Sequence, residues 1–152
     1  MENGTITYTQ LLREDLGIFR VTPDAGVPDF KAGQFLTLGL PLENKIVNRA
    51  YSIASSPENK EYIEFVIRWV RKPLPGRLTS LLFNAKEGDK ISWAKPAGSL
   101  TINDTLPNGE KDTRRIVCIG GGTGLAPFVS FAQHLHDTND KREIVILHGA
   151  SY

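Results

Sequence analysis

The 152-residue sequence contains a single cysteine, Cys118, so no disulfide can form within the chain. It also lacks any apolar run near the roughly 20 residues that a membrane-spanning helix needs. Its first residues, M-E-N-G-T-I-T-Y, do not have the basic and apolar regions of a signal peptide. These absences predict a cytoplasmic protein of a reducing compartment that has no association with a membrane.

Neither sign of charge dominates the sequence. Lysine and arginine number 18, aspartate and glutamate number 17, and the net charge is +1. Such a balance gives no electrostatic basis for binding nucleic acid. The three histidines are His134, His136 and His148, and their spacing is not that of metal ligands, so no metal site is predicted. Hydrophobic residues make up 40% of the chain, which is enough for a packed core.

The first hundred residues favour short strands separated by turn residues. Apolar and polar residues alternate in each segment, and Pro-Asp-Ala-Gly, Ser-Pro-Glu-Asn and Glu-Gly-Asp sequences lie between them. This pattern predicts a mainly β fold, a six-stranded antiparallel Greek-key barrel. The predicted strands cover residues 5–9, 17–22, 34–40, 49–55, 62–69 and 90–94.

Two later segments depart from this alternation. Leu78, Leu81 and Leu82 follow Gly76 at helical spacing, which predicts a short helix that caps one end of the barrel. Farther on, I-V-C-I, a glycine-rich loop, a helical segment with Pro127 near its start, and E-I-V-I-L-H predict a βαβ unit with parallel strands. We therefore expect a barrel domain over residues 1–110 and the first βαβ unit of an incomplete α/β nucleotide-binding domain over residues 111–152.

The glycine-rich loop has the sequence C-I-G-G-G-T-G-L-A-P-F, residues 118–128. Glycines between a strand and a helix allow a backbone to approach a phosphate closely. The loop matches neither the G-x-G-x-x-G pattern nor the Walker pattern, because Leu125 stands where the third glycine is required and no Gly-Lys-Ser/Thr follows. A phosphate site and simple close packing of helix on strand both fit these residues.

The sequence R-A-Y-S, residues 49–52, places several polar groups in one predicted strand. Arg49 and Tyr51 share a strand face. A guanidinium suits a pyrophosphate, an aromatic ring suits a flat cofactor, and the Ser52 hydroxyl can bond a ring nitrogen. The same residues also fit a half-buried strand that carries an exposed arginine.

Four ordered motifs together resemble the ferredoxin–NADP reductase family, most closely its bacterial flavodoxin/ferredoxin reductases. They are A-G-Q-F at 32–35, R-A-Y-S at 49–52, G-R-L-T-S at 76–80 and G-T-G-L-A-P-F at 122–128. The resemblance implies a barrel that binds FAD, an α/β domain that binds NADP or NAD, and a ferredoxin or flavodoxin as the electron partner. It implies hydride transfer at flavin N5, with the protein positioning the cofactors.

The resemblance also implies roles for individual residues. Tyr51 is expected to stack on the isoalloxazine and Ser52 to lie near flavin N5, and these two residues form the expected catalytic set. Arg49 is expected to contact the FAD pyrophosphate. The full FAD-binding set is Arg49, Ala50, Tyr51, Ser52, Val66, Gly76, Arg77, Leu78, Thr79 and Thr123, and the nucleotide-binding set is Gly121, Gly122, Thr123 and Gly124.

The chain also departs from the family. Family members continue well beyond its last residue, and Ser151 stands where some relatives have an arginine after a histidine. Three alternatives remain open: the reductase module of a larger system such as an oxygenase or flavohaemoglobin, an FAD-binding module without turnover, and a barrel with no cofactor.

Overall fold

The computed structural model describes residues 1–150. Six antiparallel strands form one sheet. The strands are β1 (Glu2–Arg13), β2 (Leu16–Pro23), β3 (Phe35–Leu42), β4 (Lys45–Ser52), β5 (Ile63–Arg68) and β6 (Lys90–Trp93). Their spatial order is β4-β3-β6-β1-β2-β5, and the predicted mainly β fold is confirmed.

The alternating sequence pattern gives each strand an inward apolar face. Trp93 and Phe65 are buried in this core, with 2% and 0% of their surface exposed. The two outer strands of the sheet approach each other beyond the end of β4, where the Ala54 amide donates a hydrogen bond to the Glu64 carbonyl at 2.8 Å. This contact brings the edges of the sheet together, as a barrel requires.

The helix α1 (Arg77–Leu82) lies where the sequence predicted a short capping helix. Its side chains Leu78 and Leu82 are buried in the barrel core, which holds the helix against the sheet. The helix begins directly after Gly76. It is in contact with strand β4.

The remainder of the described chain forms a βαβ unit, as predicted. Strand β7 (Ile116–Gly121) is parallel to β8 (Ile144–Gly149). A 3-10 turn over Gly122–Leu125 follows β7 and continues directly into helix α2 (Ala126–Asp137). The sequence did not predict this separate turn. The domain boundary at residue 110 stays a prediction.

Helix α2 packs against both the βαβ strands and the barrel. Phe131 contacts Cys118 of β7 and Ala32 of the barrel in one buried cluster. Cys118 is 5% exposed, as expected for a small buried apolar residue, and burial raises the pKa of its thiol. No helix between Met1 and Ala150 has the length and apolarity that a bilayer crossing requires. The cytoplasmic location stays a prediction.

Candidate dinucleotide site between β4 and α1

A cavity of about 250 Å³ lies between strand β4 and the start of helix α1. The sequence predicted cofactor contacts in both elements, although R-A-Y-S and G-R-L-T are separated along the chain. The fold brings them to one place. The cavity wall contains seven of the predicted FAD-binding residues, namely Arg49, Ala50, Tyr51, Gly76, Arg77, Leu78 and Thr79.

Three guanidinium groups line this cavity, those of Arg49, Arg68 and Arg77. Arg68 forms an ion pair with Asp15, with its Nε 3.2 Å from the carboxylate. Within residues 1–150, Arg49 and Arg77 have no carboxylate in salt-bridge distance. Cationic groups without a counter-ion around a cavity favour an anionic ligand, and guanidinium geometry suits a phosphate.

The start of α1 leaves backbone groups available to such a ligand. The hydroxyls of Thr79 and Ser80 donate hydrogen bonds back to the Gly76 carbonyl, at 3.0 and 2.8 Å. No side chain in the described part of the chain caps the first-turn amides. A Cβ at Gly76 would lie 2.5 Å from Thr79 Oγ1, so glycine permits this close approach. This geometry is consistent with the place of Gly76 in the expected FAD-binding set.

Tyr51 contributes an unsatisfied polar atom at the same cavity. Its hydroxyl is buried and has no hydrogen-bond partner among residues 1–150. Burial raises the pKa of Tyr51 to about 12, although the charge of nearby Arg49 lowers it slightly, so the phenol is neutral. A buried hydroxyl without a partner costs free energy, and a bound polar ligand can supply the missing partner. The arginines, the open helix start and this hydroxyl together fit a pyrophosphate-containing cofactor.

A second cavity, of about 380 Å³, lies where the barrel meets the glycine-rich turn. Its barrel wall includes Val66 and Arg68 of β5 and residues around the turn from β1 to β2, and Gly122 and Thr123 line it from the βαβ unit. Sequence alone did not determine which face of β5 meets the cofactor. The structure shows that Val66 and Arg68 face the cavity, whereas Ile67 is 1% exposed and packs in the core.

Arg68 lines both cavities, so they adjoin at this residue. A dinucleotide needs a phosphate site and a neighbouring apolar site for its ring, and the two cavities together offer both. Ser52, Gly121 and Gly124 are not among the wall residues of either cavity. Arg68 was missed as a site residue because an arginine at the end of a strand carries no sequence signal of its own.

The glycines of the glycine-rich segment lie in two different environments, one tightly packed and one open. At Gly120 a Cβ would lie 3.0 Å from the Phe128 ring, so this glycine serves close packing of α2 on β7. Gly122 has a φ of +53°, a conformation that glycine adopts at little cost. Open space lies beside Gly122 and Gly124, so packing does not explain them. That space is available to a ligand, as the nucleotide-binding prediction requires.

Trp69 and Arg71 pack together at the end of β5. Trp69 is partly buried, and its ring contacts the Phe83 ring, with centroids 5.4 Å apart, and the Arg71 guanidinium at 4.2 Å. The Arg71 guanidinium also donates a hydrogen bond to the Glu14 carbonyl. Residues 1–150 contain no group of three or more histidine, cysteine or acidic residues that could hold a metal ion. The expected departure at Ser151 lies outside the described residues.

The fold and its two adjoining cavities define a class of protein, a barrel that binds a dinucleotide beside a nucleotide-binding βαβ unit. Residues 4–102 match the oxidoreductase FAD-binding domain family, and residues 118–152 match the oxidoreductase NAD-binding domain family. The chain belongs to the oxidoreductase FAD-binding domain family, and ferredoxin–NADP reductases are among the relatives that it resembles. The predicted cofactors, FAD and a nicotinamide dinucleotide, are confirmed at the level of these families.

Individual relatives agree with this assignment. A ferredoxin–NADP reductase of Pseudomonas aeruginosa is 36% identical over 88% of this chain and 48% of its own length. The reductase component of a propane 2-monooxygenase of Mycolicibacterium goodii is 34% identical over 90% of this chain and 36% of its own. The chain thus spans about half the length, or less, of these relatives.

A solved structure supports the fold. The flavohaem-like FAD/NAD-binding domain of a nitric oxide dioxygenase from Vibrio cholerae superposes with a TM-score of 0.84, at 20% identity. The superposition covers 99% of this chain and 63% of that chain.

Proposed function

We propose that this chain forms the FAD-binding part of an oxidoreductase that moves electrons between NAD(P)H and a ferredoxin or flavodoxin. The observation that carries the proposal is the cavity where Arg49, Tyr51 and Arg77 converge. When bound, FAD accepts a hydride from a reduced nicotinamide and releases electrons singly to a one-electron carrier. The family match and the 36% identical ferredoxin–NADP reductase of Pseudomonas aeruginosa support this function.

The residues of the chain serve this chemistry by binding and orienting. Arg49 and Arg77 supply positive charge to the pyrophosphate, together with the open amides at the start of α1. The Tyr51 ring provides an apolar surface and its hydroxyl a hydrogen-bond donor. Thr123 and the open glycines beside it provide the nicotinamide side of the second cavity. Ser52 supplies a hydroxyl close to the reacting ring, a role that rests on its place directly after Tyr51.

A second function has specific support. The propane 2-monooxygenase reductase component of Mycolicibacterium goodii is 34% identical to this chain, nearly as similar as the ferredoxin–NADP reductase. The oxygenase of such a system would then replace free ferredoxin as the acceptor. Both functions require the same FAD-binding cavity and differ in the electron acceptor.

The test is anaerobic reduction of the FAD-loaded complete gene product by NADPH and by NADH, followed through the visible flavin absorbance. We expect rapid bleaching with one of the two nucleotides, and then reoxidation by ferredoxin, flavodoxin or an artificial one-electron acceptor. Ser52→Ala should slow bleaching about tenfold or more while FAD affinity changes less than about twofold. Ser52→Thr, which keeps the hydroxyl, serves as the control. Binding of FAD without bleaching would replace this proposal with a binding module that has no turnover.

A further inference from the structure

The second half of the stretch N-R-A-Y-S-I-A-S-S-P, residues 48–57, contains two serines that the cofactor cavities do not use. Ser55 and Ser56 follow β4 and are each 2% exposed. They meet Ser130 and Gln133 of helix α2, and Ser130 is 0% exposed. We call Ser55, Ser56, Ser130 and Gln133 the polar seam. Buried polar groups at a contact between two structural units are costly unless they are paired.

The groups of the polar seam are paired, and the pairs cross from the barrel to α2. The Ser130 hydroxyl donates a hydrogen bond to the Ser55 carbonyl at 2.7 Å. The Ser56 amide donates to Gln133 Oε1 at 3.0 Å. Both bonds use the backbone on the barrel side and a side chain on the helix side. A substitution in α2 therefore removes a bond without changing any barrel side chain.

The seam is also connected to strand β5. The amide of Glu64 donates to the Ser55 hydroxyl at 3.0 Å. Glu64 precedes Val66, which lines the larger cavity from the barrel side. At the other end, α2 is a direct continuation of the glycine turn that contains Thr123. The polar seam thus links the two facing walls of the cavity through short, hydrogen-bonded segments.

We propose that Ser130 and Gln133 are positioning residues, which fix the glycine turn relative to β4 and β5 and so set the spacing of nicotinamide and flavin. The proposal rests on the proposed function above. Neither residue lines the two cavities, so both act through the turn and not by contact with a ligand. The rate of hydride transfer between two bound groups depends steeply on the distance between them. Loss of a hydrogen bond in the polar seam should therefore slow the reaction without weakening FAD binding.

Two variants of Gln133 test the hydrogen bond most specifically, because this side chain is exposed and its replacement leaves the core intact. Gln133→Met keeps the length of the side chain but has no acceptor for the Ser56 amide. Gln133→Glu keeps an acceptor oxygen. Ser130→Ala removes the buried hydrogen bond, and His136→Ala, at an exposed position on the same helix, is the control.

The first readout is amide hydrogen exchange of residues 121–125 in the FAD-free chain. We expect exchange to be about fivefold faster in Gln133→Met, the effect of one lost hydrogen bond. In Gln133→Glu and His136→Ala, these amides should exchange at the same rate as in the original chain. Equal exchange in the Met and Glu variants, or a rise spread evenly over the barrel amides, would overturn the proposal.

The second readout is the rate of flavin bleaching by NAD(P)H in the FAD-loaded complete gene product. Gln133→Met and Ser130→Ala should bleach more slowly while their FAD affinity stays within about twofold of the original. Unchanged bleaching in Gln133→Met would also overturn the positioning role. Failure of the original protein to bind FAD would refute the proposed function instead, and the exchange experiment would still decide whether the seam holds the turn.

Discussion

His148 at the end of β8 holds the glycine turn through its imidazole, since Nε2 lies 3.0 Å from the Gly122 carbonyl oxygen. A carbonyl oxygen only accepts hydrogen bonds, so Nε2 carries the proton in this contact. Gly122 has a positive φ, and this bond stabilises the turn at the residue whose backbone conformation is least common. Both residues line the larger cavity.

This contact predicts unequal effects of three substitutions at residue 148. His148→Gln places an amide N–H near the position of Nε2 and should keep the affinity for the oxidised nicotinamide dinucleotide close to its original value. His148→Asn is too short to reach, and His148→Ala has no donor, so both should weaken binding of this dinucleotide about fivefold. Isothermal titration of the FAD-loaded protein measures the affinities. An equal loss of nucleotide affinity in His148→Gln and His148→Ala would show that the hydrogen bond to the Gly122 carbonyl does not contribute to binding.

Tyr51→Phe should stabilise the FAD-free protein but weaken its affinity for FAD. Without FAD, the change removes a buried hydroxyl that has no partner in residues 1–150, and the free energy of unfolding should rise by about 1 kcal/mol. With FAD, loss of a hydrogen-bond donor should weaken cofactor binding about fivefold. Denaturant unfolding and FAD titration provide the two values.

Tyr8→Phe is the matched control, because the Tyr8 hydroxyl is bonded to Gln10 at an exposed site and should matter little. Destabilisation of the FAD-free chain by Tyr51→Phe would contradict this account of the cavity.

The hydrogen-bonded contact between His134 Nδ1 and the Glu58 carboxylate, 2.9 Å long, predicts a pH dependence of stability. Burial disfavours the charged Glu58 carboxylate, but hydrogen bonds from Ser56 and His134 outweigh burial and lower the pKa of Glu58 below its usual 4.5. A carboxyl with a lowered folded-state pKa stabilises the protein fully above its unfolded-state pKa. That contribution is lost as the pH falls through the folded-state pKa.

Glu58→Gln should therefore be less stable than the original chain near neutral pH, and the difference should shrink to nothing in acid. Urea unfolding at several values between about pH 6 and pH 3 tests this. Glu43→Gln, at an exposed turn between β3 and β4, controls for the loss of one carboxylate. If the stability difference between Glu58→Gln and the original chain grew as the pH fell, the prediction would be contradicted.

Most elements of the fold were predictable because their sequences carry strong local patterns. Strand β2 alternates between buried and partly buried residues, and its predicted range of 17–22 lies within the observed Leu16–Pro23. The expected strand at 49–55 was displaced, since β4 runs over Lys45–Ser52. This strand is at an edge of the sheet and largely exposed, so apolar alternation gave no signal for its first half.

The candidate site was predictable where a motif combines several residue types, as in R-A-Y-S and G-R-L-T-S. Arg68, His148 and Ser130 were missed, because their partners are distant in sequence and only the fold brings them together. The polar residues of segment 48–57 have two kinds of surroundings. Arg49 and Tyr51 line the cavity between β4 and α1, and Ser55 and Ser56 are hydrogen-bonded to helix α2.

The most direct test of the central claim, that the cavity between β4 and α1 binds FAD, is titration of the folded chain with FAD, followed by quenching of flavin fluorescence. We predict saturable binding that Arg49→Gln weakens by roughly 10- to 100-fold, the effect of losing one charged hydrogen-bond donor. Arg115→Gln, which removes an exposed arginine paired with Glu143 outside both cavities, should leave the affinity unchanged. A folded chain that binds no FAD, or equal affinities for the two variants, would contradict the claim.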